Sequence, residues 1–260
     1  MHVLLDLTAR PVIGHRGARA HAPENTLPSF RLGVEQGADA IELDVRLTAD
    51  GVPVVLHDPT LDRTTDLSGD VARLPWDRVR LADAGARFSA DGGTSYPWRG
   101  QDARIPTLAE VVEAFPDVPL LIEIKTPAAS DAVRRVLEEQ GAVGRSVVAS
   151  ARHAALEPFR GRRFNVGASS VESTRLFRQA MLGVRPAPGS LRYQALFLPF
   201  RKWGMLIPSR RFVTMARELG CPMHVWTVND TELARRFWRT GVCGIVTDSP
   251  GLMRAMRDGA

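Results

Sequence analysis

Nine strand-like runs alternate with helical segments along the chain, and two of them are separated only by Thr48-Ala49-Asp50-Gly51. The runs are 10–15, 39–45, 52–57, 119–125, 146–150, 163–169, 193–199, 222–228 and 243–248. Alternation of this kind predicts a parallel sheet with helical crossovers. A parallel crossover needs about a dozen residues, so the short link cannot be one. Asp50-Gly51 is instead a hairpin-turn dipeptide. Residues 39–57 therefore read as an antiparallel hairpin, its first arm in the sheet and its second folded back over the open end. Counting symmetrically about the turn sets His57 level with Glu42. Eight parallel strands remain, the number that closes a (β/α)8 TIM barrel.

The helices are punctuated as such a fold requires. Glu24-Asn25-Thr26 supplies a cap for a helix over 27–36 that Gly37 stops. Thr107-x-x-Glu110 is a capping box, and Ser209 and Gly220 bracket another helix. Residues of about 58–105 break the pattern, being rich in Gly, Asp, Arg and Pro. A stretch of that length is expected only as a functional cap or lid, so it is read as an insertion at the catalytic face of one barrel domain spanning 1–260. The run 193–208 mixes aromatics with Arg201 and Lys202 and reads as a buried strand followed by a loop, a membrane- or acyl-facing surface being the alternative.

Chemistry gathers at the strand ends. Glu42 and Asp44 are two apart on a strand and so share a face. Two carboxylates buried together repel unless a cation lies between them, and a hard divalent ion suits oxygen ligands. Glu123 and Lys125 share a face of a later strand, and a lysine beside a third carboxylate makes sense if an anion binds next to the metal. His15-Arg16 ends the first strand. Glu24 and Asn25 can orient Arg16 and the metal shell, structural capping being the alternative. Trp226 ends a strand at the same rim, where it could stack on substrate or pack in the core.

Bulk properties exclude other classes. A net charge of +5 could suggest nucleic acid, but the arginines are scattered, with no basic run beside aromatics. Cys221 and Cys243 lack metal-ligand spacing and read as free buried thiols. No leader or apolar run long enough to span a bilayer is read, so a cytoplasmic protein is expected.

The motifs GHRGARAHAPENTLPSF, AIELDVRLTADGVPVVLHDPTLDRTT, IPTLAEV, LLIEIK, HVWTVND and GIVTDSP, in this order over about residues 11–253, resemble the glycerophosphodiester phosphodiesterase family. That resemblance implies a TIM barrel with an insertion after the second strand and one divalent cation, Ca²⁺ or Mg²⁺, held by Glu42, Asp44 and Glu123. It implies His15 and His57 as the general acid/base pair, with Arg16 and Lys125 on the phosphate. The implied reaction splits deacylated phospholipids into sn-glycerol 3-phosphate and an alcohol, with the glycerol 2-hydroxyl or water as nucleophile. Two alternatives stand beside it: a lysophospholipase D-type enzyme working at a membrane, and a non-catalytic barrel that binds phosphodiesters. The second requires loss of a histidine or a metal ligand, and none is missing. The chain departs from the family pattern at Cys243 and at Ala149–His153, outside the catalytic set.

Overall fold

The computed structural model describes residues 2–161, 163–187, 189–202 and 204–259. Eight parallel strands form the barrel: β1 (Val12–His15), β2 (Ala40–Leu47), β4 (Leu120–Ile124), β5 (Ser146–Ala149), β6 (Asn165–Val166), β7 (Leu196–Pro199), β10 (Met223–Trp226) and β11 (Gly244–Thr247). They pair in the order β6-β5-β4-β2-β1-β11-β10-β7. The ring closes through an isolated parallel bridge between Gly167 and Ala195. Beside it, Gln194 N donates to Val166 O at 2.8 Å and Ala168 N to Ala195 O at 2.9 Å. The strand count read from the sequence is thus the count of the barrel.

Helices α1 (Leu27–Glu35), α3 (Leu108–Ala114), α4 (Ser130–Glu139), α6 (Ser170–Leu182), α7 (Arg210–Glu218), α8 (Thr231–Thr240) and α9 (Pro250–Asp258) pack outside the barrel, and α2 (Trp76–Val79) and α5 (His153–Leu156) are single turns. Thr107 and Ser169 open α3 and α6 with reciprocal capping boxes. Thr26, rather than Glu24 or Asn25, caps α1, its hydroxyl accepting from Ser29 N. Inside the barrel, Ile13, Leu121, Val147 and Val246 pack on Leu4, which is fully buried. The segment before β1 therefore plugs the floor. Cys221 and Cys243 are buried free thiols.

The hairpin forms, but in a register one residue away from the symmetric count. Strand β3 (Pro53–Val55) pairs antiparallel with β2 as Val45↔Val55, Arg46↔Val54 and Leu47↔Pro53. Thr48 N donates to Val52 O, leaving a three-residue loop whose last residue, Gly51, has φ +83°. Left-handed glycine at that point is the usual solution for a three-residue hairpin. Extrapolated, this register sets His57 across from Leu43, not Glu42. Pairing ends at Val55, and the bend that follows carries His57 to the cavity wall.

Residues 58–105 carry a small core of their own, with Leu61, Val71, Val79 and Ala82 buried against Val54, Leu56 and Ile105. Trp98 Nε1 donates to His21 O at 3.3 Å, and Arg63 reaches Glu24, so the insertion is pinned to the β1–α1 loop. The run 193–208 becomes β7 and a two-stranded hairpin of β8 (Arg201–Lys202) and β9 (Met205–Leu206). Trp203, in the middle of that run, lies outside the described residues. Among the described residues no helix is long and apolar enough to cross a membrane.

The exit from β1 is sterically exacting. Gly17 has φ +89°, and a Cβ there would meet the Ser29 backbone carbonyl at 2.6 Å. Backbone cannot yield as a flexible side chain can, and the left-handed conformation adds strain of its own. Gly17→Ala is expected to destabilise the protein by about 2–4 kcal/mol in denaturant unfolding. A loss below roughly 1 kcal/mol would mean the turn re-forms another way.

Candidate active site

Three adjacent strands assemble the charged cluster by register alone. His15 on β1 lies beside Glu42 on β2, and Asp44 on β2 lies beside Glu123 on β4. Because side chains two apart share a face, the three carboxylates converge, with one ligand oxygen from each within 4.8 Å of the others. Glu42 and Asp44 are buried, whereas Glu123 is about one-third exposed at the mouth.

Around this trio the chain turns so that donors point inward. Arg16 leaves β1 with φ 53°, and its amide donates to Glu42 Oε2 at 2.9 Å. Its guanidinium Nη1 donates to Glu24 Oε1 at 2.7 Å, while Nε lies 3.0 Å from Asp44 Oδ2. Asn25, also left-handed at φ 59°, donates from Nδ2 to Asp44 Oδ2 at 2.8 Å. Lys125 Nζ sits 2.7 Å from Asp44 Oδ1 and 3.0 Å from Glu123 Oε1. Burial drives the Asp44 carboxyl up, but Lys125 and Arg16 outweigh it and hold it below the usual carboxylate range. For Glu42 the same two cations are outweighed: burial, then repulsion from Asp44 and Glu123, raises it well above its ordinary value.

The residues fit a cation. Asp44 Oδ1 is buried with the Lys125 ammonium 2.7 Å away. With Glu42 buried next to Asp44 and Glu123 close to both, so much negative charge in one place is costly unless a further cation joins it. Three carboxylates are a hard-oxygen donor set suited to Mg²⁺ or Ca²⁺.

Two imidazoles flank the cluster, and each is held by a carboxylate. His15 Nδ1 lies 2.7 Å from Asp248 Oδ1, just beyond β11. His57 Nδ1 lies 2.7 Å from Asp58 Oδ1. An ionised carboxylate only accepts, so Nδ1 carries the proton in each pair and Nε2 is the nitrogen left for chemistry. Asn229 fixes Asp248, donating from Nδ2 to Oδ2 at 2.8 Å and accepting from the Asp248 amide. Arg63 ties Asp58 to Glu24, and its hydrogen bond is the chief reason that Asp58 falls to about 2. Burial lowers His57 below its ordinary 6.5 despite the nearby carboxylates.

His15, Arg16, Glu42, His57, Glu123 and Lys125 line one cavity of about 600 Å³ at the C-terminal face of the barrel. Trp226 stands on its rim, 42% exposed, so it is not a core residue. Glu24 touches Arg16, Arg19 and Arg63 instead of capping a helix. Asp248, Asn229, Asp58 and Arg63 were not marked by spacing. The available signal was a carboxylate directly after a barrel strand, in Thr247-Asp248, and one adjoining His57.

Comparison with known proteins agrees with this geometry. The model of the glycerophosphoryl diester phosphodiesterase family matches residues 15–252. A protein of Caldanaerobacter subterraneus subsp. tengcongensis named glycerophosphodiester phosphodiesterase is 34% identical over 247 residues, covering 92% of this chain and 94% of its own. Among solved structures, a glycerophosphoryl diester phosphodiesterase domain from Mycobacterium tuberculosis superposes with a TM-score of 0.84 at 24% identity, covering 97% of this chain and all of that one. A phosphodiesterase of Oleispira antarctica, solved with the product sn-glycerol-3-phosphate, is 26% identical with a TM-score of 0.73, over 96% of this chain and 97% of that one.

Proposed function

The chain belongs to the glycerophosphoryl diester phosphodiesterase family, and from that premise we propose that it hydrolyses glycerophosphodiesters to sn-glycerol 3-phosphate and an alcohol with the help of one divalent cation. What supports this reading is the convergence of three carboxylates, two carboxylate-held imidazoles, an arginine and a lysine on one cavity. A phosphodiester is a stable anion, so its hydrolysis requires charge neutralisation, an activated nucleophile and a protonated leaving oxygen.

Glu42, Asp44 and Glu123 would hold the cation, Mg²⁺ or Ca²⁺. Bound there, it would supply Lewis-acid polarisation of a phosphoryl oxygen. Arg16 and Lys125, both largely buried, add fixed positive charge beside the same oxygens. His57, kept neutral near pH 7 by burial, takes the nucleophile's proton at Nε2. His15, aligned by Asp248, gives a proton from Nε2 to the leaving oxygen. Glu24 and Asn25 hold Arg16 and Asp44 in place. Trp226 offers its exposed ring to the substrate's carbon skeleton.

A coupled assay of glycerol 3-phosphate release tests the reading. Protein stripped with chelator should be inactive on glycerophosphocholine and related headgroups, and regain turnover with Mg²⁺ or Ca²⁺. Silence with every headgroup and both ions would refute it.

A further inference from the structure

Alternation puts Glu42, Asp44 and Arg46 on one face of β2. The first two have a part in the mechanism above, and the third has none. Arg46 is half-buried. Arg16 is paired with Glu24 and Asp44, and Arg63 with Glu24 and Asp58, but Arg46 forms no ion pair among the described residues. Its hydrogen bond goes elsewhere: Nε donates to the main-chain carbonyl of His57 at 2.8 Å.

That bond falls where the backbone has least other support. Pairing of β2 with β3 ends at Val45↔Val55, and Leu56 N, donating to Asp44 O at 3.0 Å, is the last main-chain link between the arms. His57 follows at once, and neither its amide nor its carbonyl has a main-chain partner among the described residues. Its carbonyl is gripped instead by a side chain rooted two residues beyond Asp44. The imidazole is oriented separately, through Nδ1, by Asp58, which Arg63 ties to the β1–α1 loop. The ring is thus restrained from the insertion and the main chain from the barrel.

We infer that Arg46 is a positioning residue for His57: its Nε–H fixes the main chain of the base to the strand that carries Glu42 and Asp44. Nε2 of the imidazole is thereby kept in place against the nucleophile. This rests on the phosphodiesterase reading and assigns that reaction a further residue. The group that matters is a donor, not a charge. A base displaced by about 1 Å loses on the order of 10²-fold in rate.

Three substitutions separate donor from charge. Counted along the side chain, Nε2 of glutamine stands where Nε of arginine does, so Arg46→Gln keeps an N–H for the carbonyl without the charge. Arg46→Lys keeps the charge and puts a methylene at that position, and Arg46→Met removes both at similar length. Variants are compared on glycerophosphocholine at equal concentrations of cation-binding sites, so a misfolded fraction does not enter. Met and Lys should lower kcat by about 10–10²-fold, with KM and cation affinity within about twofold of wild type. Gln should restore kcat to within about threefold of wild type.

A double-mutant cycle tells positioning from a merely structural role. In a His57→Ala background, Arg46→Met should slow turnover by less than about twofold more, because the group it positions is gone. Full additivity of the two losses would overturn the assignment. So would Lys matching wild type where Gln does not, or a rise in KM as the main effect, which would put the guanidinium on the substrate. Loss of cation binding in Met and Lys alike would also overturn it, by showing that Arg46 acts on the carboxylates. Three variants as fast as an active wild type overturn the role of Arg46 alone. Wild type that cleaves no glycerophosphodiester with either Mg²⁺ or Ca²⁺ overturns the underlying activity as well.

Discussion

His57→Ala is expected to lower turnover by about 10²–10⁴-fold, the ordinary worth of a general acid or base, while leaving affinity for the divalent cation within a few-fold of wild type. The separation of the two effects follows from geometry. His57 lies outside the carboxylate trio, on the bend after β3, with its imidazole about one-third exposed and its Nδ1 committed to Asp58. Truncating it leaves the carboxylates and their cations untouched. His57→Gln should be about as slow as Ala, since an amide keeps a polar group in place but cannot accept the proton. Turnover and metal titration of the same preparations decide the matter. Full activity, or a metal affinity that falls in step with the rate, would remove His57 from the role of base.

The same assignment has a sign in pH. Burial lowers the His57 pKa below 6.5, with Asp44 and then Asp58 pulling it back up. A base must be neutral to accept a proton, so kcat/KM should fall as pH drops through a limb lying below 6.5. Asp58→Asn removes one of the interactions that raise it, and should move the limb further to acid. The Asp58–Arg63 pair ties that bend to Glu24, and Glu24 in turn holds Arg16. The proposed base is therefore mechanically joined to the arginine proposed to face the phosphate.

Much of this was written locally in the chain, and what was not has an identifiable cause. Short apolar runs, the capping box at Thr107, the cap at Ser209 and the Asp50-Gly51 turn are decided within a few residues of themselves, so eight strands and a hairpin could be counted. The convergence of Glu42, Asp44 and Glu123 followed from the period of two and from β2 and β4 being neighbours, which a barrel with a hairpin insertion enforces. The hairpin register was misjudged by one residue because Gly51 could close either a two- or a three-residue loop. Asp248 escaped notice as the partner of His15 because 233 residues separate them; only the closure of β11 onto β1 makes them neighbours. The core of the 58–105 insertion was invisible because Leu61, Val71, Val79 and Ile105 recur with neither helical nor strand spacing.

Glu123→Gln and Asp44→Asn should part company in the absence of metal, although both are carboxylates of one trio. In metal-free wild type, burial and mutual repulsion strain the cluster, as the raised Glu42 shows. Glu123 is the exposed member, and its conversion to an amide removes one repelling charge with little desolvation at stake. That variant should melt no lower than metal-free wild type. Asp44 is the opposite case, lying almost fully buried between Arg16 and Lys125, which are themselves nearly buried. Taking its charge away leaves Arg16 only Glu24 and Lys125 only Glu123 as close anionic partners, a loss of up to about 3–5 kcal/mol. With metal the ordering changes. Wild type at a cation concentration of about 100 times Kd gains roughly 2.7 kcal/mol, or roughly 5–10 °C in Tm. Both variants should lose about half of that rise or more, because partners outside the coordination sphere already cost 10–100-fold in affinity and a ligand should cost at least about as much. Melting curves of the three proteins, with and without Mg²⁺ and Ca²⁺, measure every part of this. An undiminished shift in Glu123→Gln would exclude Glu123 from the coordination sphere, and with it the three-carboxylate site on which the hydrolytic mechanism stands.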